Sequence, residues 1–332
     1  MTIMTFMPKI GKYELRSRVL VAPMSGLTDL PFRRVVNLFN PGLIVSEMVA
    51  GQMLAMGKPD TLAKAAGGGE IDPLVIQLVG CEKNWMSKAA KLSQEAGAAL
   101  IDINMGCPAR KVTSGMSGSA LMKNIDNALE LIVATINSVD IPVTLKMRLG
   151  WDIDNLNAPS LAVKAQKAGV KMIVVHGRTR CQFYDGKADW SAVKETVEAV
   201  DIPVFVNGDI NNANDAIEAL DKSSAAGVMV GRALIGSPWK LQEIISAVDK
   251  STIPKQLKLK DKKKIVLNHY RDIIDFYGER KGVKIARRHL IGYVDDLDLI
   301  DDSEIKSSIV QMSQSSKVYD TLDVIFSNDR EK

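Results

Sequence analysis

The sequence predicts an α/β protein, a (β/α)8 TIM barrel followed by a small all-helical C-terminal domain. Three observations carry this. Eight short apolar, β-branched runs recur before Trp239, Ala/Lys/Glu-rich stretches of helical spacing separate them, and strand-like runs stop after it. The runs are continuous rather than alternating, as strands covered by helices on both faces must be. Eight such units in about 240 residues match the size of one closed barrel. A doubly wound sheet is the rival, but it carries a glycine-rich dinucleotide turn after its first strand. Here that turn reads Pro23-Met24-Ser25-Gly26, so the rival loses.

In chain order the expected strands are Val19–Pro23, Leu43–Ser46, Leu74–Val79, Leu100–Asn104, Val143–Met147, Met172–His176, Val204–Asn207 and Gly227–Val230. Helical spacing marks Met86–Ala96, Ile125–Val139, Ser160–Ala168 and Ala213–Leu220 between them. A Lys-rich linker is expected over Lys250–Lys264 around Pro254, and helical periodicity then runs over Leu257–Ser327. The expected division is therefore a barrel of residues 1–249 and a helical domain of residues 250–332.

Composition narrows the class. At 332 residues the chain has room for one large or two ordinary domains. Apolar residues at 46% and charged residues at 25% exclude a disordered or collagen-like chain. Three cysteines exclude a disulfide scaffold, and with no C-x-x-C pair no metal site is expected. No stretch reaches the ~18 apolar residues of a membrane helix, and the N-terminus lacks a secretory pattern. A soluble protein of a reducing compartment, the cytoplasm, is the expectation. The net charge of +4 hides an asymmetry: Lys255–His289 carries twelve Lys/Arg against four Asp/Glu, whereas Leu290–Lys332 carries four against ten. The first segment predicts one basic surface, with solvated helix faces as the plain alternative.

In a barrel, chemistry collects at the C-terminal ends of the strands. There the sequence places Met24-Ser25, Gln77, Asn104 with Gly106-Cys107-Pro108, Lys146 and Arg148, His176-Gly177-Arg178, Asn207-Gly208-Asp209 and Gly231-Arg232. The last two groups suit a phosphate, because Gly208 and Gly231 allow close backbone approach on the loops where barrels bind phosphate. A lysine in the barrel mouth must pair with an anion or lower its pKa. Lys146 is therefore either a Schiff-base lysine or the partner of an anionic flavin edge. Gln77, His176 and the phosphate loops favour a flat cofactor with a polar edge. Cys107, on a sharp turn between glycine and proline, stays mostly protonated near its reference pKa of ~8.5 and can act as a general acid. Thr113–Ser119 reads as a flexible continuation able to close over substrate.

Five motifs in order give the chain a strong resemblance to the bacterial tRNA-dihydrouridine synthases, closest to the B subfamily. They are Ala22-Pro23-Met24-Ser25-Gly26-Leu27-Thr28-Asp29, Asp102-Ile103-Asn104-Met105-Gly106-Cys107-Pro108, His176-Gly177-Arg178-Thr179-Arg180, Asn207-Gly208-Asp209-Ile210 and Gly231-Arg232. The resemblance implies FMN in the barrel mouth and NADPH or NADH as reductant. It sets Pro23, Met24 and Ser25 against the flavin, Gln77 and Lys146 at its ring edge, and His176 beside flavin and base. The amides of Asn207, Gly208, Asp209, Gly231 and Arg232 would hold the phosphate. Cys107 would protonate C5 of a flipped-out uridine while hydride reaches C6, with Asn104 and Arg178 positioning the uracil. A target base must leave the stack to be reached, and folded RNA calls for a basic surface. That surface is expected to include Lys284, Arg287 and Arg288, so the implied partner is tRNA, bound by a monomer with no membrane and no stable protein partner.

His269 and His289 are expected to be surface or packing residues, and Cys81 and Cys181 structural thiols. Gly51–Lys58 mimics a phosphate loop with the wrong spacing. Three alternatives remain open: an FMN barrel enzyme acting on a free pyrimidine, a non-catalytic RNA-binding protein, and a Schiff-base aldolase built on Lys146.

Overall fold

The computed structural model describes residues 7–251, 256–297 and 302–327. Eight strands close into a parallel barrel: β1 (Val19–Val21), β2 (Leu43–Val45), β3 (Leu74–Val79), β4 (Leu100–Met105), β5 (Val143–Arg148), β6 (Ile173–His176), β7 (Val204–Asn207) and β8 (Gly227–Val230). Each pairs with the next, and β8 pairs with β1 to complete the ring. Every residue of these strands is buried, which is why they read as unbroken apolar runs.

The barrel interior changes chemistry along its axis. Alternate residues near the strand starts, including Leu20, Leu43, Val75, Leu100, Val174, Phe205 and Met229, form an apolar plug. Ile10, in a small antiparallel hairpin, and Leu15, just after it, close it from below. One or two pleats higher the same inward rows become Gln77, Asp102, Asn104, Lys146, Arg148, His176 and Asn207. Strand alternation keeps these polar groups on the inner face, and parallel pairing brings them to one end.

Helices cover the outside in chain order: α1 (Leu30–Asn37), α2 (Gly51–Ala55), α3 (Pro59–Ala65), α4 (Lys83–Glu95), α5 (Arg110–Thr113), α6 (Ile125–Ile136), α7 (Ala158–Ala168), α8 (Lys194–Glu198), α9 (Ala213–Ser223) and α10 (Lys240–Val248). The C-terminal part is all helical: α11 (Leu259–Tyr277), α12 (Glu279–Asp296), α13 (Asp302–Gln311) and α14 (Ser315–Ile325). The expected linker is shorter than the composition suggests, because residues 259–264 already belong to α11. Lysine is a good helix former, so a Lys-rich stretch marks a linker only where proline or glycine breaks it. Pro254 and Lys255 lie outside the described residues. Among those residues no helix is long and apolar enough to cross a membrane.

The helical part is seated on the barrel by a continuous apolar cluster that runs from the barrel helices into Val266, Tyr270, Val283 and Tyr293. Phe32 of α1 stacks on His289 at 4.9 Å, and His289 meets His269 edge-on at 4.8 Å. Both histidines are packing residues, fully buried where the two parts meet. Burial pulls the pKa of His289 down to about 4, helped by nearby Arg288, and burial beside His289 likewise lowers that of His269. In the unfolded chain both return to the ordinary histidine value, so the unfolded state binds more protons between pH 6.5 and 4. Stability is full above pH 6.5 and falls as the pH drops toward 4, by roughly 3 kcal/mol for His289. Urea unfolding at the two ends of that window should show the loss, and His289→Phe should show less of it.

Candidate active site

The strand ends surround one cavity of about 570 Å³. Of the residues singled out in the sequence, Pro23, Met24, Ser25, Gln77, Asn104, Cys107, Lys146, His176, Asn207, Gly208, Asp209, Gly231, Arg232 and Arg288 line it. Arg178, Lys284 and Arg287 do not. Arg148, also singled out, lines it as well, and the cavity takes Phe183 and Tyr184 into its wall.

A hydrogen-bonded chain crosses its floor. Thr144 Oγ1 donates to Asp102 Oδ1 at 2.6 Å, and Gln77 Nε2 donates to Asp102 Oδ2 at 2.7 Å. Asn104 Nδ2 donates to Gln77 Oε1 at 2.8 Å, and Asn104 Oδ1 accepts from the Cys107 amide at 3.0 Å. Gln77, Asp102 and Thr144 occupy one register row of β3, β4 and β5. Asp102 thereby fixes which end of the Gln77 amide faces which neighbour, and Gln77 fixes Asn104 in turn. Burial raises the Asp102 pKa, while the bonds from Thr144 and Gln77 and the charge of Lys146 oppose the rise. Asp102 was not singled out for this work, because its task exists only once three strands are in register.

Lys146 is buried, and its ammonium donates to Asn207 Oδ1 at 2.9 Å. Burial and then repulsion from Arg148 bring its pKa down to about 8, so it remains cationic at neutral pH. Burial, with Lys146 next in weight, pushes His176 well below its ordinary value. It is a neutral ring, and Arg178 Nη1 approaches its Nε2 at 3.3 Å. A guanidinium only donates, so Nε2 accepts and the proton sits on Nδ1.

Cys107 is held by its backbone. Its carbonyl accepts from the Ser119 amide at 3.1 Å and the Ser119 hydroxyl at 2.8 Å. Arg148 Nε donates to Gly106 O at 2.7 Å, and its Nη1 donates to Thr179 O and Phe183 O, both at 2.8 Å. The segment expected to be flexible is thus partly an anchor: Ser119 is buried, and Thr113 ends α5. A side chain at Gly118, where φ is +61°, would meet Cys107 O at 2.9 Å. Burial pushes the Cys107 thiol above the ordinary thiol range, outweighing its backbone bond with Ala109 and the charges of Arg148 and Lys146. At neutral pH the sulfur keeps its proton.

Arg178 has a different position from the one expected beside a uracil. It is 1% exposed, and both Nη atoms are engaged by Asp209, at 3.0 and 2.6 Å. Gly186 O and Asp185 O accept from the same guanidinium. Asp209 also receives Arg232 Nη2 at 2.9 Å and the Ala188 amide at 2.8 Å. These contacts tie the loops after β6, β7 and β8 together. They leave the amides of Gly208, Asp209, Gly231 and Arg232 without an acceptor among the described residues. At Gly208, φ is +115° and a Cβ would come 2.8 Å from His176 Cδ2, so only glycine leaves this cradle open. The free amides and glycine-lined space fit a phosphate, and the polar rim at Gln77, Asn104 and Lys146 fits a flat ring edge. Gly208→Ala is expected to weaken binding of a phosphate-bearing ring cofactor at least tenfold, checked by the cofactor content of the purified protein.

The family model described as dihydrouridine synthase matches residues 20–329. A probable tRNA-dihydrouridine synthase of Rhodobacter capsulatus is 53% identical over 289 residues, covering 86% of this chain and 89% of that protein. One from Rickettsia bellii is 45% identical, covering 95% and 97%. The tRNA-dihydrouridine synthase B of Salmonella typhimurium is 35% identical, covering 96% and 99%. Among solved structures, a 2-naphthoyl-CoA reductase complex aligns with a TM-score of 0.57 at 11% identity, covering 75% of this chain and 56% of that one. At that identity the likeness is one of fold.

Proposed function

The chain belongs to the dihydrouridine synthase family, and from that premise we propose that it is a flavin-dependent tRNA-dihydrouridine synthase reduced by NADPH or NADH. The observation that carries the reading is the single cavity that combines a protonated, backbone-anchored thiol, a buried cation, a neutral histidine and an open phosphate cradle. When bound, FMN would supply hydride to C6 of the uracil ring. Gly208, Asp209, Gly231 and Arg232 would hold its phosphate through their backbone amides, with Asn207 completing the loop. Gln77 and Lys146 would face the ring edge, Pro23, Met24 and Ser25 its side, and His176 the boundary with the base.

The chain's own residues do the rest. Cys107 holds a proton at Sγ and delivers it to C5 as negative charge gathers there. Asn104, oriented by Gln77, presents its amide beside that thiol and is placed to bind the uracil edge. Arg178 contributes by clamping Asp209 rather than by touching the base. Arg288 brings the cation-rich α12 to the cavity edge, where an RNA strand carrying a flipped base must pass. Lys284 is exposed, whereas Arg287 is half-buried and donates to Met312 O at 3.4 Å. A tRNA substrate places the work in the cytoplasm, and the reading requires neither a membrane nor a stable protein partner.

The test is NADPH oxidation by the purified yellow protein, with dihydrouridine measured by mass spectrometry. Stimulation by unmodified tRNA but not by free uracil is expected. The reverse would favour an enzyme of free pyrimidines, and a colourless protein unable to take up FMN would favour an RNA-binding scaffold.

A further inference from the structure

The rim of the barrel opposite the helical domain carries a second group of cations that the site chemistry does not use. The Arg180 guanidinium carbon lies 4.6 Å from the ring centre of Trp151 and 4.6 Å from that of Phe183. Lys123 Nζ lies 3.9 Å from the same Trp151 ring. Two cations are therefore held within 5 Å of one indole, on loops that follow β4, β5 and β6. Neither forms an ion pair with a carboxylate among the described residues. The hydrogen bond of Arg180 is a long one to Thr113 Oγ1 at 3.4 Å, and its Nε is buried without a partner. Asp152, next in sequence to Trp151, accepts from Asn155 Nδ2 at 2.6 Å and makes no ion pair with either cation.

Geometry gives this group a place in substrate binding. In a closed ring of eight strands β5 lies across from β1, and the helical part packs on α1, which follows β1. Phe183 belongs both to the aromatic slot around Arg180 and to the cavity wall, so the group starts at the cavity edge. Arg110 and Lys111 stand exposed on α5 on the same side. Two like charges fixed beside one ring repel each other until an anion sits against them. Aromatic faces hold the cations without satisfying their hydrogen bonds, and a guanidinium kept flat in this way is preorganised for a phosphate.

We propose that Lys123 and Arg180, stacked on Trp151, grip the phosphodiester backbone of the RNA substrate across the cavity from Arg288. This rests on the tRNA reading above. An RNA strand would then be held on both sides of the nucleotide that enters the cavity, which opposes its return to the stack.

The experiment is tRNA affinity as a function of salt for Lys123→Glu, Arg180→Gln, Arg180→Lys and Arg288→Glu in the full chain. Lys123→Glu and Arg180→Gln are each expected to weaken binding about 3- to 10-fold near 0.1 M salt. Each should also lower the slope of log K against log salt by about one. Arg180→Lys should keep the slope. Flavin reduction by NADPH without tRNA should be unchanged in the Lys123 and Arg180 variants, which shows that they fold. If both match the native protein in affinity and slope while Arg288→Glu is weakened, the rim grip is wrong and the tRNA reading stands. If the native protein shows no binding to unmodified tRNA, the tRNA reading fails first.

Discussion

Cys107→Ala is expected to keep its flavin and its reduction by NADPH while losing dihydrouridine formation by about two to four orders of magnitude. A positioned general acid contributes about 10²- to 10⁴-fold, which corresponds to roughly 3–5 kcal/mol of barrel-mouth stabilisation of the transition state. The substitution isolates that contribution because the loop is held by main-chain groups. The Cys107 amide donates to Asn104, its carbonyl accepts from Ser119, and Arg148 holds the carbonyl before it. Alanine keeps all three. Rapid mixing of pre-reduced enzyme with unmodified tRNA separates the two half-reactions, and normal turnover in the variant would remove the thiol from its role.

The pH dependence follows with its sign. The acid must be protonated to act, and burial pushes its pKa up from the ordinary thiol range, so the tRNA half-reaction should hold its rate through neutral pH. It should decline only above the ordinary thiol range. Lys146 acts in the opposite direction, since its pKa is lowered to about 8. A fall near pH 8 that is already present in the NADPH half-reaction belongs to Lys146. One seen near pH 8 only with tRNA would contradict the buried thiol.

Much of the fold was legible because parallel strands under helices leave an unambiguous mark. Leu74–Val79, Val204–Asn207 and Gly227–Val230 have the same bounds in sequence pattern and structure. The others shift by one or two residues at their ends, where backbone pairing rather than hydrophobicity decides. The lining residues were legible for a related reason: a polar side chain at the top of an apolar strand has few other places to be. Asp102 and Arg178 were not. The first acts through neighbours on two other strands, and the second is captured by a carboxylate that lies 31 residues away in the chain. Both tasks depend on partners that only the closed barrel brings together. In the segment after Cys107 the two glycines gave no sign of the anchor that Ser119 supplies at its far end.

Gly292→Leu is expected to undo the docking of the C-terminal helices while leaving the proposed flavin site intact. Glycine inside a helix costs about 1 kcal/mol relative to alanine, so its place within α12 calls for a packing reason. That reason is backbone against backbone: a Cβ at Gly292 would lie 3.0 Å from Gly236 Cα and from Ile235 O. Main-chain atoms cannot turn aside as a side chain can. Overpacking of this kind costs about 1–3 kcal/mol, and the contacts at risk are those that seat the helix. They include the Trp239–Tyr293 stack at 5.8 Å and the bonds of Asp296 to Ser237, Trp239 and Lys262. Arg288 sits one turn before Gly292, so a lifted helix carries it away from the cavity edge. The residues proposed to hold the cofactor all lie on barrel strands and loops, and flavin per protein should stay at the native value. Affinity for tRNA should fall at least tenfold and the thermal midpoint by several degrees. Native tRNA affinity in a folded Gly292→Leu protein would mean that the seating of α12 does not govern substrate binding.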